Sequence, residues 1–137
     1  MINDTTAGRW FRRVMWLGIL ANLALALPTI AAPDMMIEFT RLPTATPVLW
    51  PRFAGLLLVI LSVFYTPAAT DIDRYRIVAW FAIASRAAGV LFFVPQTTYR
   101  MLGYFDLVFL VPQLFLLLVA VRGASGAMAA KPAATRA

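Results

Sequence analysis

Four long apolar runs constrain this chain more than any other feature. Crossing a hydrocarbon core of roughly 30 Å takes about 20 mostly apolar residues at about 1.5 Å each. The 137 residues hold four stretches able to do so, predicted as spans at about 12–31, 51–68, 75–94 and 100–121. The second is short, Phe53 to Tyr65, unless Pro51 and Arg52 make its first turn and Thr66 to Ala69 its last. Pro51 suits a first helical position, where its missing N–H is not needed. The predicted fold class is all-α: a transmembrane antiparallel four-helix bundle over residues 1–122, with a flexible cytoplasmic tail over 123–137.

Four spans place both termini on one side, and the basic residues say which. With the N-terminus inside, the inner segments hold eight of the twelve Lys and Arg (Arg9, Arg12, Arg13, Arg74, Arg76, Arg122, Lys131, Arg136). The outer segments hold three (Arg41, Arg52, Arg100), and Arg86 lies within a span. That bias predicts that both termini are cytoplasmic. A second reading makes the first run a secretory signal, with Thr29-Ile30-Ala31 as a small-x-small cleavage site; its length and Asn22 argue for a retained helix.

Composition excludes most chemistry. Hydrophobic residues make up 62% and charged residues 13%, where a soluble domain has about 25% charged. The absence of Cys removes disulfides, thiolate catalysis and Cys-ligated metals. The absence of His removes imidazole bases and most transition-metal sites, so no cofactor is expected. No Gly-rich phosphate loop, no paired intramembrane carboxylates and no base beside a Ser or Thr is found, so the chain is not expected to be an enzyme. The net charge of +6 sits in small groups at the ends of apolar runs and forms no basic face, which argues against nucleic acid.

Between the first two spans, Met35, Met36, Phe39 and Leu42 recur at helical spacing opposite Asp34, Glu38 and Arg41. This is the pattern of a short interfacial helix over 34–42, with an ordered loop as the alternative. Trp10, Trp16, Trp50, Tyr65, Tyr75 and Tyr99 lie near span ends and read as interfacial belts.

Helices in lipid associate through small and polar residues, so those faces should point inward. The stripes are Gly18, Asn22, Ala26 and Thr29; Arg52, Gly55, Val59, Ser62 and Thr66; Ala79, Ala82, Arg86 and Gly89; and Gly103, Asp106, Leu110 and Gln113. Asn22 and Gln113 are expected to hydrogen-bond between helices, and Pro112 to free the carbonyl of Val108. An intramembrane charge costs at least about 2.5–3.5 kcal/mol on insertion scales, so Arg86 and Asp106 need partners. Counted at about 1.5 Å per residue, Arg86 from Tyr75 at the inner boundary and Asp106 from Arg100 at the outer one of a core about 30 Å thick, their levels differ by about 5 Å, which predicts an ion pair in the outer half. Arg52 on the same inward stripe would make a net positive pocket roofed by Trp50, Tyr99 and Tyr104. Such a pocket suits an anionic or carbonyl-bearing group, such as a lipid headgroup or quinone; the alternative is a pair that only fixes helix register.

Trp50-Pro51-Arg52-Phe53-Ala54-Gly55, Phe64-Tyr65 with its Pro67-Ala68-Ala69 exit, Arg86-Ala87-Ala88-Gly89 and Gly103-Tyr104-Phe105-Asp106-Leu107-Val108-Phe109 resemble a group of small bacterial membrane proteins. Their layout is similar to DoxX-like four-helix bundles. The resemblance implies a four-helix fold and, through a link of such proteins to membrane oxidoreductase systems, an accessory or anchoring subunit of a respiratory or photosynthetic complex. The expected partners are the bilayer and other membrane subunits or a second copy. The alternative is a binding or transport protein for a lipid, quinone or small hydrophobic solute, with Arg52, Arg86, Asp106, Tyr99, Tyr104 and Gln113 as site residues.

Overall fold

The computed structural model describes residues 1–130, with side chains described through Gly126. A single 3-10 turn, Ile2–Asp4, precedes five helices: α1 (Thr6–Ala31), α2 (Pro33–Thr40), α3 (Leu49–Thr70), α4 (Arg76–Phe93) and α5 (Arg100–Ala130). The described residues contain no strand. Helices α1, α3, α4 and α5 are each long and apolar enough to cross a membrane. Large apolar side chains stand exposed on all four, among them Leu20, Ile60, Phe81 and Phe115. An exterior this apolar suits a hydrocarbon surrounding far better than water.

The helix ends follow from local chemistry. Thr5 caps α1, its Oγ1 accepting from Gly8 N at 2.9 Å, so the helix begins six residues before the predicted span. Pro33 opens α2 at a position that needs no N–H, and Arg41, in the left-handed region at φ 55°, closes it. Segment 34–42 is thus helical through Thr40. Its inward face is Met36, Ile37 and Thr40, while Met35 and Phe39 point away, 58% and 80% exposed. Helix α5 continues through Pro112 to Ala130, eight residues past the boundary expected from composition. Ala and Ser carry the helix on, since two glycines do not suffice to stop it. Residues 131–137 of the expected tail lie outside the described residues.

Packing is closed in a ring: α1 against α3 and α5, and α4 against α3 and α5. The start of α1 meets the end of α3, where Arg12 Nη1 donates to Thr70 O at 3.1 Å. The end of α1 meets the start of α3, where Gly55 lies against Ile30 and the Ala26 carbonyl. The close approach of Gly103 to Val94 joins the end of α4 to the start of α5.

The two halves of the ring differ. Phe11, Met15 and Ile19 of α1, Tyr65, Ala68 and Ala69 of α3, Ala79, Ala82 and Ile83 of α4, and Leu117 and Ala120 of α5 form a core near the Asp71 end. That end is also clasped by the N-terminal turn. Ile2 N and Asn3 N donate to the two oxygens of Asp73 at 2.9 and 3.0 Å, and Asn3 Nδ2 donates to Asp71 Oδ1 at 2.7 Å. Ile72 N donates back to Asn3 Oδ1 at 3.0 Å, and Ile2 and Ile72 are fully buried beneath. The Asn3 amide, followed by the Arg74 backbone N–H, holds the Asp71 carboxyl below its ordinary value. The opposite end, toward Tyr99, lacks such a core and contains the cavities.

Candidate functional site

Position 86 of α4 and position 106 of α5 face each other across the helix pair, and their side chains join. Arg86 Nη1 donates to Asp106 Oδ1 at 3.1 Å, with Arg86 3% exposed. This is the predicted pair. Two glycines make room for it. A methyl on Gly18 of α1 would stand 2.7 Å from Arg86 Nη2, and one on Gly89 of α4 would strike the Asp106 carboxylate. The guanidinium also lies 4.8 Å from the Phe109 ring centroid, one turn beyond Asp106. Cation, carboxylate and aromatic face together reduce the penalty of a charge held in hydrocarbon.

Against this pair lies a cavity of about 270 Å³. Its wall is mostly apolar, with Leu25, Leu57, Leu58, Leu61, Phe93, Leu102 and Phe105 contributing. Its polar groups are Asn22, Tyr65, Ser85, Arg86 and Asp106, one or more from each long helix. A second cavity of about 340 Å³ lies under α2, between Met36, Ile37, Thr40, Trp50, Pro51 and Tyr99. Leu25, Ala54, Leu58, Phe93 and Leu102 line both, so the two spaces adjoin through a shared apolar waist. Ala54 and Leu57 line this cavity and are exposed on the apolar outer face of α3, which puts its mouth on that face.

Tyr65 and Ser85 complete the polar wall. Ser85 Oγ donates to Ala82 O at 3.0 Å, so its remaining hydrogen bond is accepted from the Tyr65 hydroxyl. The Tyr65 oxygen keeps its lone pairs. Arg86 Nε has no partner among the described residues.

The predicted site residues separate into groups. Arg86 and Asp106 meet at the inner cavity; Tyr99, with Trp50, lines the outer one. Arg52 does not join them. It is exposed and lines neither cavity, because a long cationic side chain near a helix end reaches the polar boundary instead of filling the interior. The pocket is therefore not net positive. Tyr104, 43% exposed, also faces outward. Gln113 is fully buried, but behind the pair: its Nε2 would be 3.4 Å from a methyl on Gly18, and neither Nε2 nor Oε1 has a partner. The interhelical hydrogen bond expected of it is absent among the described residues. Asn22 is buried and lines the cavity.

Tyr65, which its place near a span end assigns to an interfacial belt, is instead 3% exposed inside the bundle. Helix α3 runs on to Thr70, so Tyr65 is more than a turn from its end. The signal for it was present in the spacing: Ser62, Tyr65 and Ala69 recur at helical intervals on the small-residue face, all buried. Ser85 stands beside Arg86 and four residues before Gly89, a small-xxx-small spacing that marks a packing face and carries no sign of a cavity.

Searches of protein-family models, of curated proteins and of solved structures return no match to this chain.

Proposed function

We propose that the chain is an antiparallel four-helix protein of a bacterial inner membrane, both termini cytoplasmic, that binds a lipid, quinone or other small hydrophobic solute beside Arg86 and Asp106. The contacts of α1 with α3 at both ends, and of α4 with α5 through Val94 and Gly103, support the antiparallel reading. The eight-to-three bias of basic residues supports the orientation.

The observation that carries the binding reading is the inner cavity: an apolar wall with a few convergent polar side chains, the usual make-up of a small-molecule site. Membership of a DoxX-like family and a place as an accessory subunit rest on the sequence alone, and the cavity favours binding over a purely anchoring role. The test is native mass spectrometry of the protein released from nanodiscs that carry its own membrane lipids. A one-to-one small-molecule adduct is expected in the wild type and its loss in Ala54→Trp. That substitution fills the waist from a position already exposed to lipid, so folding should survive. An empty wild-type protein, or an adduct unchanged by Ala54→Trp, would contradict the proposal.

A further inference from the structure

Among the described residues, the only charged groups lining either cavity are Arg86 and Asp106, and they are bonded to each other. Their charges cancel. An anionic head brought beside them would be an added, uncompensated charge in a space walled by leucine and phenylalanine, which is strongly unfavourable. The hydrogen-bonding capacity of the site is not exhausted in the same way. Asp106 spends Oδ1 on Arg86, and the carboxylate is partly exposed at the cavity, leaving it an acceptor for an incoming donor. Asn22 supplies amide donors, and the Tyr65 oxygen accepts.

Resting on the binding reading above, we infer that the ligand is an uncharged amphiphile whose head carries both a donor and an acceptor, as in a primary amide or an alcohol. The head sits between Asn22 and Asp106, and the apolar body passes the Leu58 waist into the space under α2. It enters from the bilayer, because the mouth at Ala54 and Leu57 opens on hydrocarbon.

The full chain in phosphatidylcholine nanodiscs tests this with three probes of similar chain length: dodecanamide, dodecanoate at about pH 9, and tridecan-2-one, which accepts but does not donate. Occupancy is read by native mass spectrometry against probe mole fraction. In the wild type dodecanamide is expected to bind about tenfold or more tighter than dodecanoate, since the carboxylate would be buried without a counter-charge. The ketone should bind more weakly than the amide for want of a donor to Asp106. Asp106→Asn leaves Arg86 uncompensated and should reverse the order in favour of dodecanoate. Should that variant fail to fold, the amide-to-ketone ratio in the wild type tests Asp106 without it. Wild-type preference for dodecanoate, or equal binding of amide and ketone, overturns the neutral-head assignment while the cavity reading stands. If none of the probes saturates, or Ala54→Trp changes none of them, the cavity reading itself fails.

Discussion

Replacing Gly89 by alanine should destabilise this protein, against the ordinary effect of that change in a helix. Alanine in a helix interior is favoured over glycine by up to about 1 kcal/mol. Here the added methyl would strike the carboxylate of Asp106, with its Cγ at 3.0 Å. The Asp106 backbone is fixed in α5, so the carboxylate has to rotate, which lengthens its 3.1 Å contact with Arg86. Overpacking typically costs about 1–3 kcal/mol. Breaking a buried pair outright costs about 3–5 kcal/mol. Asp106 is 24% exposed at the cavity and can keep part of its interaction, which places the net loss for Gly89→Ala at roughly 1–3 kcal/mol. In an Asp106→Ala background the obstacle and the pair are both gone, so Gly89→Ala should become neutral or stabilising by up to about 1 kcal/mol. Reversible unfolding of the four proteins in mixed micelles, followed by steric trapping, measures the cycle. If Gly89→Ala stabilises the wild type, or has the same effect in both backgrounds, the placement of Asp106 against Gly89 is wrong.

Asp106→Asn should weaken folding by about 3 kcal/mol by leaving Arg86 without its counter-ion, and adding Arg86→Gln should restore part of that; equal losses in single and double variants would disprove the pairing. Gln113→Leu should be neutral or stabilising by up to about 1–3 kcal/mol, because it removes two buried polar groups that have no partner, and the same unfolding assay reads it. For the N-terminal clasp the sign follows from Asp71, whose folded carboxyl is held below its unfolded value of about 3.9. Its contribution is present above that unfolded value and is lost as pH falls through the lower folded one. Amide exchange at Ile2 and Ile72 should therefore speed up in acid relative to a buried core amide such as that of Ala82. Asn3→Leu, which removes the main cause, should flatten that acid response as followed at Ile2, whose N–H donates to Asp73 and not to the Asn3 side chain.

Much of the fold is legible because insertion into hydrocarbon leaves few choices. Apolar runs of the right length become helices, and small residues such as Gly18, Ala82 and Gly103 mark the faces that touch. The Arg86 and Asp106 pair is legible for the same reason: two isolated charges at similar depth in oil have no cheaper solution. What fails is whatever depends on the direction of a flexible or terminal side chain. Arg52 shares its stripe with Gly55 and Ser62, yet stands at the end of α3 where the polar boundary is within reach. The edge of the apolar run puts Tyr65 at an interface, whereas the helix itself extends past Thr66, Pro67 and Ala68. The clasp of Asn3 on Asp71 and Asp73 spans about 70 positions of sequence, so no local pattern points to it. The cavities are spaces between helices, and periodicity has no way to register an unfilled volume.

The measurement closest to the centre of the account is a dipolar distance between Arg86 and Asp106 in a lipid bilayer. Solid-state NMR on protein labelled with nitrogen-15 in arginine and carbon-13 in aspartate, with Asp106→Ala as the assignment control, reads it directly. The 3.1 Å contact predicts strong dephasing of a guanidinium nitrogen by the Asp106 carboxylate carbon, absent in the control. No dephasing in the wild type would mean that the two side chains do not meet, and the site built on their pairing would be lost.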